Sequence, residues 1–516
     1  SMLRHNGLRV LARTFFSIPD GAKVPNIIDG KYVESKTSDW IEHRNPATME
    51  LVSQIPNSTP EEMEAAVASS KRAFESWSQT PLSTRTRILM RFMELIRDNQ
   101  DEIMNDIVKE HGKTKADTAG EIARGMEIVE HACTLSARAM GGFMPSLSAE
   151  TDTHSFRTPI GVTATIMPFN FPFMCPLWSV PVALATGNTV ILKPSHVVPH
   201  GGMNIAKLLK EAGLPDGCLN VIHGEHRTVN FICDHPDIKT ISFVGSNVAG
   251  EHIYNRAAPT GKRVQCNMGA KNHIVIMPDA DKETALNAMA GSAFGAAGQR
   301  CMANSVGVFV GEAKQWIPEF VELASKLVTN EGHQPNADLG PVITPAAKER
   351  AVRIARNAPK EGATMLLDGL DCVVPGYEKG NFIAPTVLGD VTADMECYKE
   401  EIFAPVFCTT TVDTLEQAIS FVNNNIYGNG TAIITSSGAV ARKYSNEIEC
   451  GQVGVNVPIP VGLYFFGFTG WKKSFVGSHH FYGQQGIDFF TELKTVISQW
   501  KYKGSLEMQT SFPTNK

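Results

Sequence analysis

The 516-residue chain has no run of 18 apolar residues, no CxxC pair, no histidine grouping at metal-ligand spacing and no internal repeat. These absences exclude a membrane-spanning helix, a thioredoxin-like or zinc-ribbon motif and a solenoid, and no metal site is predicted. A basic surplus is missing too: the formal net charge is −6 and the pI about 6.2, which leaves no electrostatic footprint for nucleic acid. Ten cysteines are too few for a disulfide framework in a chain this long, so free thiols in a reducing compartment are expected. No GxGxxG follows any strand-like run, so a bound nucleotide has to be held some other way. Acidic residues are absent before Asp20, where Arg4, Arg9 and Arg13 alternate with Leu3, Leu8, Leu11, Phe15 and Phe16. That is the pattern of a mitochondrial transit peptide, a disordered terminus with chance arginines being the alternative, and residues 1–23 are set outside the fold.

What is present is an ordinary globular composition, 43% hydrophobic and 19% charged, long enough for several domains. NIIDGKYVES reads as a hairpin, and Thr59-Pro60-Glu61-Glu62 as a helix start with cap and N1 proline. A second helix begins near Ser83, and helical patterning continues over 101–140. From Gly161 the runs VTATIM, NTVILK, CLNVIH and KTISFV alternate with helical segments. The pattern predicts a doubly wound parallel sheet that takes a nucleotide at its strand ends. A helix over Gly202–Ala212 stops at Gly213. A second α/β region starts at His273, passes a helix over Thr284–Ala297 and continues to about Gly470; the aromatic stretch from Gly477 to Trp500 suits a returning strand or an intersubunit arm.

The chemistry centres on FGAAGQRCMA, residues 294–303. Its small residues let the backbone approach a ligand, and Arg300 is expected to favour the Cys301 thiolate. Taken alone, such a cysteine is more often inert packing. Around it, however, stand MPFNFP at 167–172, VILKPS at 190–195, ISFVGS at 241–246, NMGAKN at 267–272 and EEIFAPV at 400–406. In this order the segments resemble the aldehyde dehydrogenase superfamily over nearly the whole chain after the leader, and Gly-Gln-Arg-Cys-Met looks most like its methylmalonate-semialdehyde dehydrogenase branch.

The resemblance implies an aldehyde dehydrogenase-like α/β fold. Its parts are a Rossmann-type NAD-binding domain (24–143 and 159–270), a catalytic domain (271–476), a β oligomerisation arm (144–158 and 477–502) and a tail (503–516). It implies Cys301 as nucleophile, Asn170 as oxyanion donor, and Arg124 and Arg300 for a substrate carboxylate. Met167, Phe169, Lys193, Ser195, His196, Ser246, Met268 and Glu401 are the implied NAD contacts, with coenzyme A as acyl acceptor. A homotetramer in the mitochondrial matrix is implied as well. Each residue also has a plainer reading: Asn170 as a turn residue, Lys193 and Arg124 as solvated cations, Ser246 as an N-cap, Phe169 and Met268 as core, and Glu401 as a surface carboxylate.

Three departures stand out. Asn267 occupies the place where water-using members carry a glutamate, and an amide cannot act as general base near neutral pH. A thiol acceptor needs far less activation than water, so coenzyme A is favoured. His196-Val197 replaces the usual Glu-Arg, removing a carboxylate from the adenosine ribose and loosening the preference for NAD over NADP. Ala404 replaces a glycine, for which the sequence offers no account. A water-using dehydrogenase with another base, and a non-catalytic binding protein with an eroded nucleotide site, are the alternative readings.

Overall fold

The structure, a computed structural model, describes residues 19–500. Its first sheet runs in the order Phe475–Gly477, Arg263–Asn267, Ile238–Val244, Val162–Ile166, Thr189–Lys193, Leu219–Val221, Asn26–Ile28, Lys31–Val33. The five middle strands are parallel, and antiparallel strands close both edges. Val162–Ile166 and Thr189–Lys193 are buried at every residue, which is why they read as continuous apolar runs and not as alternations. The hairpin turns at Asp29 and Gly30, with φ of 54° and 66°, the primed geometry that a two-residue connection favours.

The second sheet is Thr364–Leu367, Thr386–Gly389, Val406–Val412, Asn304–Val310, Asn272–Ile276, Gly430–Ile434, Gln452–Val455, parallel apart from its first strand. A third, antiparallel sheet joins Thr491–Gln499, Thr151–Pro159 and Phe143–Ser148. Helix Pro60–Trp77 opens with a full capping box between Thr59 and Glu62, followed by Leu82–Asp98, Gln100–His111 and Lys115–Cys133. Among the described residues no helix is long and apolar enough to cross a membrane.

Three boundaries differ from the sequence expectation. Ala22–Lys23 pairs with Ser53 and Gln54, so the end of the segment set aside as leader is part of a sheet. The remainder of that leader, to residue 18, and the tail at 503–516 lie outside the described residues. The helix expected to reach Ala297 ends at Phe294. The stretch assigned to the arm from residue 477 is divided: Phe475–Gly477 pairs with the first sheet, and Gly483–Phe489 is a helix whose Ile487 and Phe489 share a core with Trp178. Only Thr491–Gln499 joins the third sheet. Burial of those aromatic residues outweighs their β propensity.

Candidate active site

The cysteine loop is shaped by what it cannot accommodate. After Phe294, Ala296 and Ala297 take left-handed φ values of 51° and 53°, and the Ala296 N–H donates to Asp117 Oδ2 at 2.9 Å. Gly298 has φ of +69°, and a Cβ there would lie 2.3 Å from the Ala404 carbonyl oxygen; one on Gly295 would lie 2.5 Å from the Arg300 guanidinium. Glycine is thus required at 298 by the Ala404 backbone and the positive φ, while a side chain at 295 would push the Arg300 guanidinium aside. Behind the loop, the Cys301 carbonyl accepts from the side-chain amides of Asn272 (2.7 Å) and Asn429 (3.0 Å).

Cys301 stands between two cavities. The larger, about 430 Å³, is lined by Glu121, Arg124, Phe171, Trp178 and Tyr482; the smaller by Ala270, Glu401, Phe403 and Ala404. Arg300 and Cys301 alone line both. A substrate on one side and a cofactor on the other would therefore meet at one sulfur. Burial, then the Glu401 carboxylate, pushes the thiol pKa up to about 12, against the N–H groups of Cys301 and Met302, which favour thiolate. This corrects the expectation that Arg300 activates the thiol: its guanidinium is spent on an ion pair with Asp117.

Both substrate arginines line the larger cavity, and each already has partners. Arg124 donates to Glu127 Oε2 (2.6 Å) and to the Val461 carbonyl (2.9 Å). Asn170 is buried; its carbonyl accepts from Lys113 Nζ at 2.6 Å, and among the described residues its side-chain amide makes no hydrogen bond. Lys113 also pairs with Glu121 at 2.7 Å, both side chains fully buried, while Glu121 Oε1 accepts from the Phe173 and Met174 amides at 2.8 and 3.1 Å. This pair fixes the Asn170 loop from both ends. Sequence reasoning missed it, because a lysine and a glutamate eight positions apart on a helix-rich segment look solvated.

The cofactor candidates collect at the carboxyl ends of the first sheet. Met167 follows one strand and its N–H donates to the Lys193 carbonyl (3.2 Å) at the end of the next. Lys193 is buried, donates to the carbonyls of Pro194 (3.1 Å) and Gly224 (2.8 Å), and has its pKa lowered to about 8 by burial. Ser195 Oγ accepts from Val197 N–H at 3.4 Å. Ser246 is the N-cap of helix Asn247–Ala257, as its plainer reading had it. Met268 is buried, its sulfur 2.5 Å from where a Gly250 Cβ would sit. Phe169 lies between the rings of His111 and Phe403.

Glu401 accepts from Ala270 N–H at 2.9 Å, and burial raises its pKa to about 7. The left-handed residue of its segment is Phe403 (φ 59°), not Ala404, whose methyl joins the core of the second sheet; alanine there carries no strain. His196 is not alone either: its Nε2 lies 3.3 Å from Glu225 Oε1, both half exposed. Glu225 stands at the N-cap of helix His226–Asp234, just after the neighbouring strand, and was not singled out from sequence, since only pairing in the sheet brings residues 196 and 225 together. Asn267 is fully buried with both side-chain polar atoms unpartnered among the described residues.

The sequence pattern of the Aldehyde dehydrogenase family matches residues 32–496. A curated relative from Bos taurus, methylmalonate-semialdehyde/malonate-semialdehyde dehydrogenase [acylating], mitochondrial, is 56% identical over 94% of this chain and 90% of its own. The Arabidopsis thaliana methylmalonate-semialdehyde dehydrogenase [acylating], mitochondrial, is 55% identical over 95% of this chain and 81% of its own. Among solved structures, a putative methylmalonate-semialdehyde dehydrogenase from Sinorhizobium meliloti complexed with NAD superposes with TM-score 0.92 at 41% identity, covering 93% of this chain and 98% of the other.

Proposed function

The chain belongs to the aldehyde dehydrogenase family, and from that premise we propose that it oxidises malonate and methylmalonate semialdehydes with NAD and passes the acyl group to coenzyme A, the substrate carboxylate leaving as CO2 or bicarbonate. The observation that carries this reading is the cavity in which Cys301 faces two arginines while the place of a water-activating base is taken by buried Asn267. Arg124 and Arg300, which already pair with Glu127 and Asp117, receive the substrate carboxylate on their remaining N–H groups, where planar guanidinium geometry suits it. With its proton given up to solvent, the Cys301 sulfur forms a bond to the aldehyde carbon as the carbonyl π pair moves onto oxygen, where it is held by the free Asn170 amide and the Cys301 N–H. NAD, when bound, supplies the acceptor for the hydride lost by that carbon. Loss of the carboxylate leaves its C–C electron pair on the α-carbon of the thioester, which takes a proton from solvent, and a coenzyme A thiolate then displaces the cysteine as thiolate.

The residues at the strand ends fit such a dinucleotide. The helix start at Ser246 suits a diphosphate, Lys193 is buried past a strand end of the first sheet, and Glu401 is half-buried beside Cys301 in the smaller cavity. Glu225 would supply to the adenosine ribose the carboxylate that position 196 lacks, with His196 orienting it. On this reading Glu225→Gln weakens NAD binding about tenfold in a direct titration, the loss of one hydrogen bond to a charged group. His196→Glu, which sets two carboxylates side by side, brings no comparable gain.

A second reading, water-using hydrolysis, rests on Glu401: a carboxylate held near 7 whose charge reaches the Cys301 thiol is suited to general-base work. NADH and product measured with and without coenzyme A separate the two. Free acid released equally fast without the thiol would replace the first reading by the second. We further infer that the chain works in the mitochondrial matrix, the mitochondrion being the part its relatives' names support, and that the third sheet pairs subunits into a homotetramer. Met144, Leu147, Leu493 and Ile497 stand exposed on that sheet, which supports the latter.

A further inference from the structure

Outside the site described above, side chains from three distant stretches converge. His43 lies on strand Trp40–Arg44, Glu110 in the last turn of helix Gln100–His111, and His200 at the start of helix His200–Glu211. One ligand-type atom of each lies within 4.8 Å of the other two, and all three residues are buried. We propose that His43, Glu110 and His200 bind a divalent transition-metal ion of the zinc class, as a structural site separate from Cys301.

Unmet valences carry the argument. Nε2 of His200 is buried without a hydrogen-bond partner among the described residues, an arrangement proteins rarely leave unfilled; Nε2 of His43 meets no hydrogen-bond geometry either, the Glu110 backbone being the acceptor that stands beside the ring. His43 Nδ1 lies 2.9 Å from Ser53 Oγ. With the proton on Nδ1, that bond orients the ring and leaves a lone pair on Nε2, the outer-shell arrangement found behind metal-bound histidines. Glu110 is fully buried; its carboxylate accepts from the His200 and Gly201 amides at 3.1 and 3.3 Å, and its Oε2 is 3.6 Å from His200 Nδ1. The nearby buried cation, Lys113, is committed to Glu121 and the Asn170 carbonyl.

Two imidazole nitrogens and one carboxylate oxygen suit zinc, cobalt or nickel, whereas calcium and magnesium demand oxygen ligands. Three protein ligands leave a fourth tetrahedral position for water. Donors about 2 Å from a tetrahedral ion stand about 3.4 Å apart, so the rings would close on Glu110 by roughly an ångström. The ion would tie the N-terminal strand to a helix whose second residue, Gly201, abuts the Pro172 carbonyl of the Asn170 loop.

The test uses the full chain, stripped with a chelator and titrated with Co²⁺ by calorimetry and visible absorption. One Co²⁺ per chain is expected, with weak d–d bands, no thiolate charge-transfer band, and a raised unfolding temperature; the signal should disappear in His43→Leu and in His200→Ala. The ten cysteines are the competing ligands, so uptake accompanied by a thiolate band, or uptake unchanged in both variants, overturns the proposal. So does no uptake by the native chain, whether or not the variants fold; the His43 ring would then serve as a donor within the protein.

Discussion

Cys301 shows how a residue can be placed for chemistry while its resting ionisation opposes it. Burial and Glu401 together hold the sulfur protonated near neutral pH, so the thiolate has to form when substrate or cofactor changes those surroundings. Glu401 titrates near 7; above that pH its charge opposes thiolate formation, and below it the opposition fades. In the enzyme free of cofactor, Glu401→Gln should therefore speed Cys301 alkylation by iodoacetamide above pH 7, and change it little below pH 6. An equal acceleration at every pH would mean that the carboxylate acts through packing. Cys301→Ala should abolish NADH formation, and Asn170→Ala should lower turnover by about a hundred- to a thousand-fold, the usual effect of removing one oxyanion donor. A loss confined to KM would remove Asn170 from that role.

At the scale of elements, the site is held by segments that sequence reasoning treated as background. The Lys113–Glu121 pair ties helix Lys115–Cys133 to the loop at 170–174 through three hydrogen bonds. Removing one partner strands the other as a buried charge, so Lys113→Met should cost about 3–5 kcal/mol of stability in urea unfolding. The double variant Lys113→Met/Glu121→Gln should recover part of that and yet leave turnover low, because the Asn170 loop is still released. Recovery of both together would make the pair purely structural. The parallel strands were legible because burial on both faces writes itself as unbroken apolar runs; Ala296 and Ala297 were not, because nothing in an alanine foretells a left-handed backbone that is imposed by Asp117 and the chain ahead of it.

For the molecule as a whole, the third sheet is the feature that a single chain leaves unexplained. Phe143, Met144, Leu147, Leu493, Ile497 and Trp500 are all exposed on it or at its edge, an apolar patch of the kind that marks an interaction surface. On the homotetramer proposed above, replacing Leu493 and Ile497 with glutamate should give smaller species in size-exclusion chromatography with light scattering, with the fold of each chain retained by circular dichroism. An unchanged mass would remove the third sheet from that role.

The sequence by itself determined the family, the order of strands and helices through the first sheet, the cysteine loop and the missing carboxylates at positions 196 and 267, because these are written in local residue types and spacing. Only the tertiary structure decided which distant residues meet. Glu225 reaches His196 across two neighbouring strands, Arg300 is turned from the thiol to Asp117, and His43, Glu110 and His200 meet from three separate segments. Such contacts depend on which strands pair and which helices pack, and residues tens to more than a hundred positions apart carry no mark of one another until the chain has folded.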